Sequence, residues 1–137
     1  MKGSFEKKNM KTIYIVDDNS AMQQFLLFRI PSTYQVKNFE DGLSAYKALR
    51  SEQTNPELLI IDLSLPNVSG FELIQMIKRS NFLSDIPIMV LSGTQNSNDR
   101  IEALALGVDY FLSKPFHPRE FDLILSRFLN KEVKLNA

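Results

Sequence analysis

Apolar and polar positions along the chain fall into two alternating rhythms. Thr12-Ile13-Tyr14-Ile15-Val16, Leu58-Leu59-Ile60-Ile61 and Ile88-Met89-Val90-Leu91 are short, nearly unbroken apolar runs. Such runs leave no polar side for water, so they predict strands covered on both faces. Two weaker runs, Tyr34 to Phe39 and Val108 to Leu112, read as further strands. Between them the apolar positions recur at helical spacing: Met22, Phe25, Leu26 and Ile30; Leu43, Tyr46 and Leu49; Phe71, Leu73, Ile74 and Ile77; Ile101, Leu104 and Ala105; Phe121, Ile124, Leu125 and Phe128. Each set is taken as the inner face of its helix. Punctuation supports the division. Ser20 with Gln23 and Ser69 with Glu72 have the spacing of capping boxes, Pro31 closes the first helix, and Gly107 suits a left-handed helix end. Five strands alternating with five helices predict an α/β fold, a doubly wound parallel sheet.

In such sheets ligands sit beyond the carboxyl ends of the strands. Asp17 and Asp18 follow strand one, Asp62 closes strand three, Ser92 follows strand four and Lys114 follows strand five. A carboxylate where a buried strand surfaces costs desolvation energy unless cations or donors meet it. If strands one, three, four and five are neighbours, three carboxylates converge and a hard divalent cation relieves their repulsion, with Mg2+ suited because it leaves positions open for phosphate oxygens. Lys114 supplies a mobile cation and Ser92 a hydroxyl donor. These are the parts of phosphoryl transfer to a carboxylate nucleophile, Asp62.

Composition narrows the setting. At 137 residues the chain fits one domain, and sixteen basic residues cancel sixteen acidic ones, so no overall field draws it to nucleic acid or an anionic membrane. There is no cysteine, which excludes disulfides and thiolate metal sites. The apolar runs are too short to cross a bilayer, and Met1 to Lys11 lacks a signal-peptide core. These features predict a cytoplasmic protein with a domain over residues 11–130 and flexible termini at 1–10 and 131–137, the latter a polar tail.

The order of the acidic pair Asp17-Asp18, Asp62 at a strand end, Pro66 and Gly70 in the next loop, Ser92, and Lys114-Pro115-Phe116 resembles the receiver domain of two-component response regulators over about Lys11 to Leu129. The resemblance implies a flavodoxin-like (βα)5 fold with strand order 2-1-3-4-5. It implies that Asp62 accepts a phosphoryl group from phosphohistidine on a sensor histidine kinase or histidine phosphotransfer protein. Asp18, Asp62 and the Ser64 main-chain carbonyl would bind magnesium directly and Asp17 through water. The Lys114–Pro115 bond would be cis. Ser92 and Phe111 would be the switch, changing the helix-four, strand-five, helix-five face and so affinity for a downstream protein partner. Such a domain catalyses only its own phosphorylation and dephosphorylation. It would act alone, as a chemotaxis-type messenger, a relay or a phosphate sink.

Other readings apply residue by residue. Asp17, Asp18, Asn19 and Ser20 compete as helix caps, Phe111 fits core as well as switch, and His117, the only histidine, reads as a solvated loop residue. Gly93 stands where the family often has alanine, and Ser64 and Thr94 flank the site where side chains admit or block water. A flavodoxin-like module binding a nucleotide or flavin phosphate is the alternative function. Asp17-Asp18 would repel phosphate there without a metal. An external phosphatase is disfavoured because Ser64, not an acid, stands two residues after Asp62.

Overall fold

The computed structural model describes residues 10–52, 54–93 and 96–136, with side chains to residue 129. Strands β1 (Thr12–Val16), β2 (Gln35–Phe39), β3 (Leu58–Asp62), β4 (Ile88–Ser92) and β5 (Tyr110–Ser113) alternate with helices α1 (Ser20–Arg29), α2 (Gly42–Ser51), α3 (Gly70–Arg79), α4 (Ser97–Ala105) and α5 (Pro118–Asn136). The strands form one parallel sheet, as the alternation of strands and helices predicts, in the order β2-β1-β3-β4-β5 that the resemblance implies. Every residue of β3 and β4 is buried.

Because side chains alternate across a strand, the apolar runs feed two cores at once. Tyr14, Val16, Leu59, Ile61, Ile88 and Val90 face α2 and α3, joined by Leu73, Ile74 and Ile77 of α3 and Ala103 of α4. On the other face Ile13, Ile15, Leu58, Ile60, Met89 and Leu91 meet Leu26 of α1 and Phe121 and Leu125 of α5. A bidentate ion pair between Arg29 and Asp122 links α1 to α5 on that side. The guanidinium holds the Asp122 carboxyl below the usual carboxylate range. At the open edge of the sheet, β2 is only half-buried, and its Lys37 pairs with Glu52 at 2.8 Å.

Several local expectations need correction. The cap of α1 is Asn19, whose side chain accepts from Met22 N–H at 2.9 Å; Ser20 is the first helical residue, so no capping box forms there. Ser69 does cap α3, accepting from Glu72 N–H at 3.2 Å. Gly42, Ala45 and Leu49 form the buried stripe of α2, while Leu43 is exposed and Tyr46 is only half-buried. Helix α4 is turned the other way from expectation. Its one buried residue is Ala103, and Ile101, Leu104 and Ala105 are exposed. A small residue lets α4 lie close to the sheet, which rotates the larger side chains outward. Gly107 ends that segment at φ +97°, the left-handed helix end expected of it, and α5 runs from Pro118 to Asn136. Among the described residues no helix is long and apolar enough to cross a membrane.

Candidate functional site

The strand register builds the site. Val16 of β1 pairs with Ile61 of β3, so Asp17 and Asp62 leave the sheet side by side. Asp62 pairs with Leu91 of β4, and Ser92 pairs with Ser113 of β5, so Ser92 and Lys114 emerge one step further along. The Lys114 N–H donates to the Ser92 carbonyl at 2.7 Å, extending that ladder past the strand.

Asp17 and Asp62 are buried, at 1 and 7 % exposure, whereas Asp18 is exposed. Lys114 Nζ stands 3.3 Å from Asp17 Oδ2 and 3.3 Å from Asp62 Oδ2, bridging the two acids. Their second oxygens take backbone donors: Asp17 Oδ1 accepts from Asn19 N–H at 2.9 Å and Asp62 Oδ1 from Ser64 N–H at 3.0 Å. Gln23 donates its side-chain amide to the Asp17 carbonyl. Burial pushes the Asp17 carboxyl above the ordinary aspartate range; the Asn19 N–H and the Lys114 charge pull against it, and the Asp62 charge adds to the rise.

One lysine thus serves two buried acids with a third beside them. Carboxylate oxygens of Asp17, Asp18 and Asp62 all lie within 4.8 Å of one another. A hard divalent ion fits such an all-oxygen donor set, and its charge would offset the surplus that Lys114 leaves.

The β3–α3 junction holds Asp62 in place through Gly70. A Cβ there would lie 2.5 Å from the Asp62 carbonyl oxygen and 2.5 Å from Leu63 Cα, so only glycine lets α3 start this close to the strand. Across the site, Gly93 has open space where a Cβ would go.

The remaining candidates fall around this centre. Ser92 is buried at the end of β4, and Ser64 is exposed with its N–H on Asp62. Phe111 is half-buried against the α2 and α3 core, with the Arg100 guanidinium 6.0 Å from its ring centroid, so it belongs to both core and surface. The Lys114–Pro115 bond is cis. His117 is exposed, and its Nδ1 accepts from Arg119 N–H at 3.1 Å, a helix-capping contact at the start of α5. Thr94 lies outside the described residues. A phosphate cradle does not fit the β1–α1 turn, where two carboxylates precede a helix start already met by Asn19.

Residues 13–126 match the response regulator receiver domain. The chain belongs to that family. This receiver is 37% identical to the response regulator GtcR of Aneurinibacillus migulanus over 127 residues, covering 92% of the chain and 50% of GtcR. It spans about half or less of the length of the curated relatives it matches. The phosphorylated cyanobacterial phytochrome response regulator RcpA superposes with TM-score 0.77 at 27% identity, over 88% of this receiver and 92% of RcpA. The receiver domain of a sensor histidine kinase from Pseudomonas aeruginosa, with magnesium coordinated in its active site cleft, gives TM-score 0.76 at 25% identity, over 88% and 98% of the two chains. The acidic pocket and Lys114 of this receiver are those of a phosphoaspartate signalling module.

Residue types at strand ends were enough to find the acids and the lysine. They did not reveal the second contact of Lys114 with Asp17, the backbone donors from Asn19 and Ser64, or the close approach at Gly70. Those depend on register and on the angle at which α3 leaves the sheet.

Proposed function

We propose that this receiver accepts a phosphoryl group on Asp62 from phosphohistidine on a sensor histidine kinase or histidine phosphotransfer protein, and signals by a change of surface. The observation that carries this reading is Asp62 itself, a buried carboxylate held by one backbone N–H and bridged by Lys114 to a second buried acid. An oxygen of Asp62 attacks phosphorus, the P–N bond breaks, and the imidazole leaves with its electron pair and takes a proton. Lys114 moves from the carboxylates toward a phosphoryl oxygen, and Ser92, next along the edge, donates to another. Asp18, Asp62 and the Ser64 carbonyl would hold magnesium directly, with Asp17 acting through water. When bound, the ion neutralises phosphoryl oxygens that three carboxylates would otherwise repel.

The acyl phosphate brings new charge and acceptor oxygens, which favour a state in which Ser92 donates and Phe111 turns inward, reshaping the α4, β5 and α5 face. The exposed Ile101 and Leu104 of α4 supply that face with apolar surface for a protein partner. We read the role as a cytoplasmic, chemotaxis-type switch working through such a partner. The test is intact mass after incubation with magnesium and a small acyl phosphate. A single phosphate adduct, absent in Asp62→Asn, is expected. An unchanged mass under conditions where magnesium binding is shown would overturn the assignment.

A further inference from the structure

The outward side of α2 and the end of α3 enclose a groove that takes no part in the phosphoacceptor site. Two cavities, of about 420 and 480 Å³, share Tyr46, Arg50 and Met76 in their walls and so run into one another. On α2 the residues Leu43, Tyr46, Lys47 and Arg50 follow the spacing i, i+3, i+4, i+7, which makes one continuous stripe. On the other side stand Met76, Arg79 and Phe82. Leu43 is 40 % and Phe82 59 % exposed, so the groove offers apolar side chains to solvent at both ends. The loop bearing Phe82 is tied down by Asn55, whose side-chain amide donates to the Phe82 carbonyl at 2.8 Å.

The charges of the groove are all of one sign. Lys47, Arg50 and Arg79 line it, and among the described residues no carboxylate does. Lys47 acts on Asp41 at the start of α2, but Arg50 and Arg79 form no ion pair among the described residues; Arg50 lies 5.8 Å from the Tyr46 ring centroid. In a chain of zero net charge this is a local cationic surplus placed around aromatic and thioether surface. Arginine beside an aromatic ring, with methionine for adaptable packing, suits a ligand that presents carboxylates next to an apolar anchor.

We infer that the α2–α3 groove is a docking site for an acidic segment of a partner protein, one that sets an aromatic or aliphatic side chain between Tyr46 and Phe82 and its carboxylates on Arg50 and Arg79. It is built from different residues than the α4, β5 and α5 face.

The experiment is fluorescence anisotropy on the full chain. The probe is a short fluorescein-labelled helical peptide bearing Glu and Asp around a Leu-Phe face, with a control in which the acids are Lys. Saturable binding of the acidic peptide that weakens with added salt is expected. Arg50→Glu with Arg79→Glu should weaken it about tenfold or more, while circular dichroism and acceptance of phosphate stay as in the parent. Phe82→Ala, an exposed position where folding is not at stake, should weaken it as well. Four outcomes would each overturn the proposal. They are equal affinity for the Lys peptide, no binding up to about 1 mM, a charge reversal that leaves affinity unchanged and so assigns the arginines to their helix ends alone, and tighter binding of a single-stranded oligonucleotide lost through the same substitutions.

Discussion

Helices α3 and α4 follow adjacent strands and flank the same site, yet they are attached to the sheet by opposite means. Helix α3 buries Gly70, Leu73, Ile74 and Ile77, and it begins so near β3 that a methyl group at Gly70 would overlap the Asp62 backbone. Helix α4 buries only Ala103, starts beyond the open space at Gly93, and turns Ile101 and Leu104 to solvent. One helix fixes the backbone of Asp62. The other is held through a single buried side chain, which suits the movable face invoked in the proposed function.

The contrast should be widest in side-chain truncation. Ile77→Ala on α3 removes a fully buried side chain and is expected to cost about 2–5 kcal/mol. Ile101→Ala on α4, 62 % exposed, should stay within about 0.5 kcal/mol. Urea midpoints at unchanged slope measure both, and comparable losses would erase the distinction between the helices.

A smaller pair of effects belongs to the glycines. Gly70→Ala forces backbone apart beside Asp62 and should cost about 1–3 kcal/mol. Its phosphorylation by a small acyl phosphate should also be slower, as read by intact mass over time. Gly93→Ala should leave stability within about 0.5 kcal/mol and the phosphorylation rate near that of the parent. A Gly93 variant impaired like the Gly70 variant would show that the α4 side is as tightly fitted as the α3 side.

The smallest effect concerns the charge that both flanks surround. Because the folded protein holds the Asp17 pKa above its ordinary value, Asp17 contributes most to stability below that ordinary value, and the contribution is lost as pH rises through the raised one. Asp17→Asn removes this loss. In chelator, the variant should therefore melt progressively higher relative to the parent as pH goes from acidic to neutral. Magnesium should reverse the order by stabilising the parent more. A melting difference independent of pH would remove burial of the Asp17 charge from the account.

The same two helices show what the sequence can and cannot tell. The strands were legible because Leu58 to Ile61 and Ile88 to Leu91 have no polar side to offer water, and the site was legible because polar residues interrupt those runs at their ends. Helical periodicity groups residues on one face without saying which way the face points. Ile101, Leu104 and Ala105 therefore looked like core, while the actual contact is made by Ala103, too small to stand out. Leu43 misled in the same way, since the inward stripe of α2 is built from Gly42, Ala45 and Leu49. At α1, two adjacent residues each able to cap left the choice to backbone angles, and Asn19 has the extended conformation. Lys114 was legible as a partner of Asp62, but its equal distance from Asp17 follows from the offset between β1 and β5, which lies beyond any local signal.

The half-buried strand at the sheet margin bears on how molecules of this protein behave in a crowd. With no net charge, the chain has no long-range repulsion to keep copies apart, and a free strand edge is a template for another strand. Lys37 sits in the middle of β2, beside the Tyr14 ring of β1 and paired with Glu52, so a strand adding to that margin would meet a charged row and not an unbroken apolar one. A charge set in the middle of an end strand disfavours edge-to-edge pairing, and β2 is the strand of this sheet that is least covered by helices.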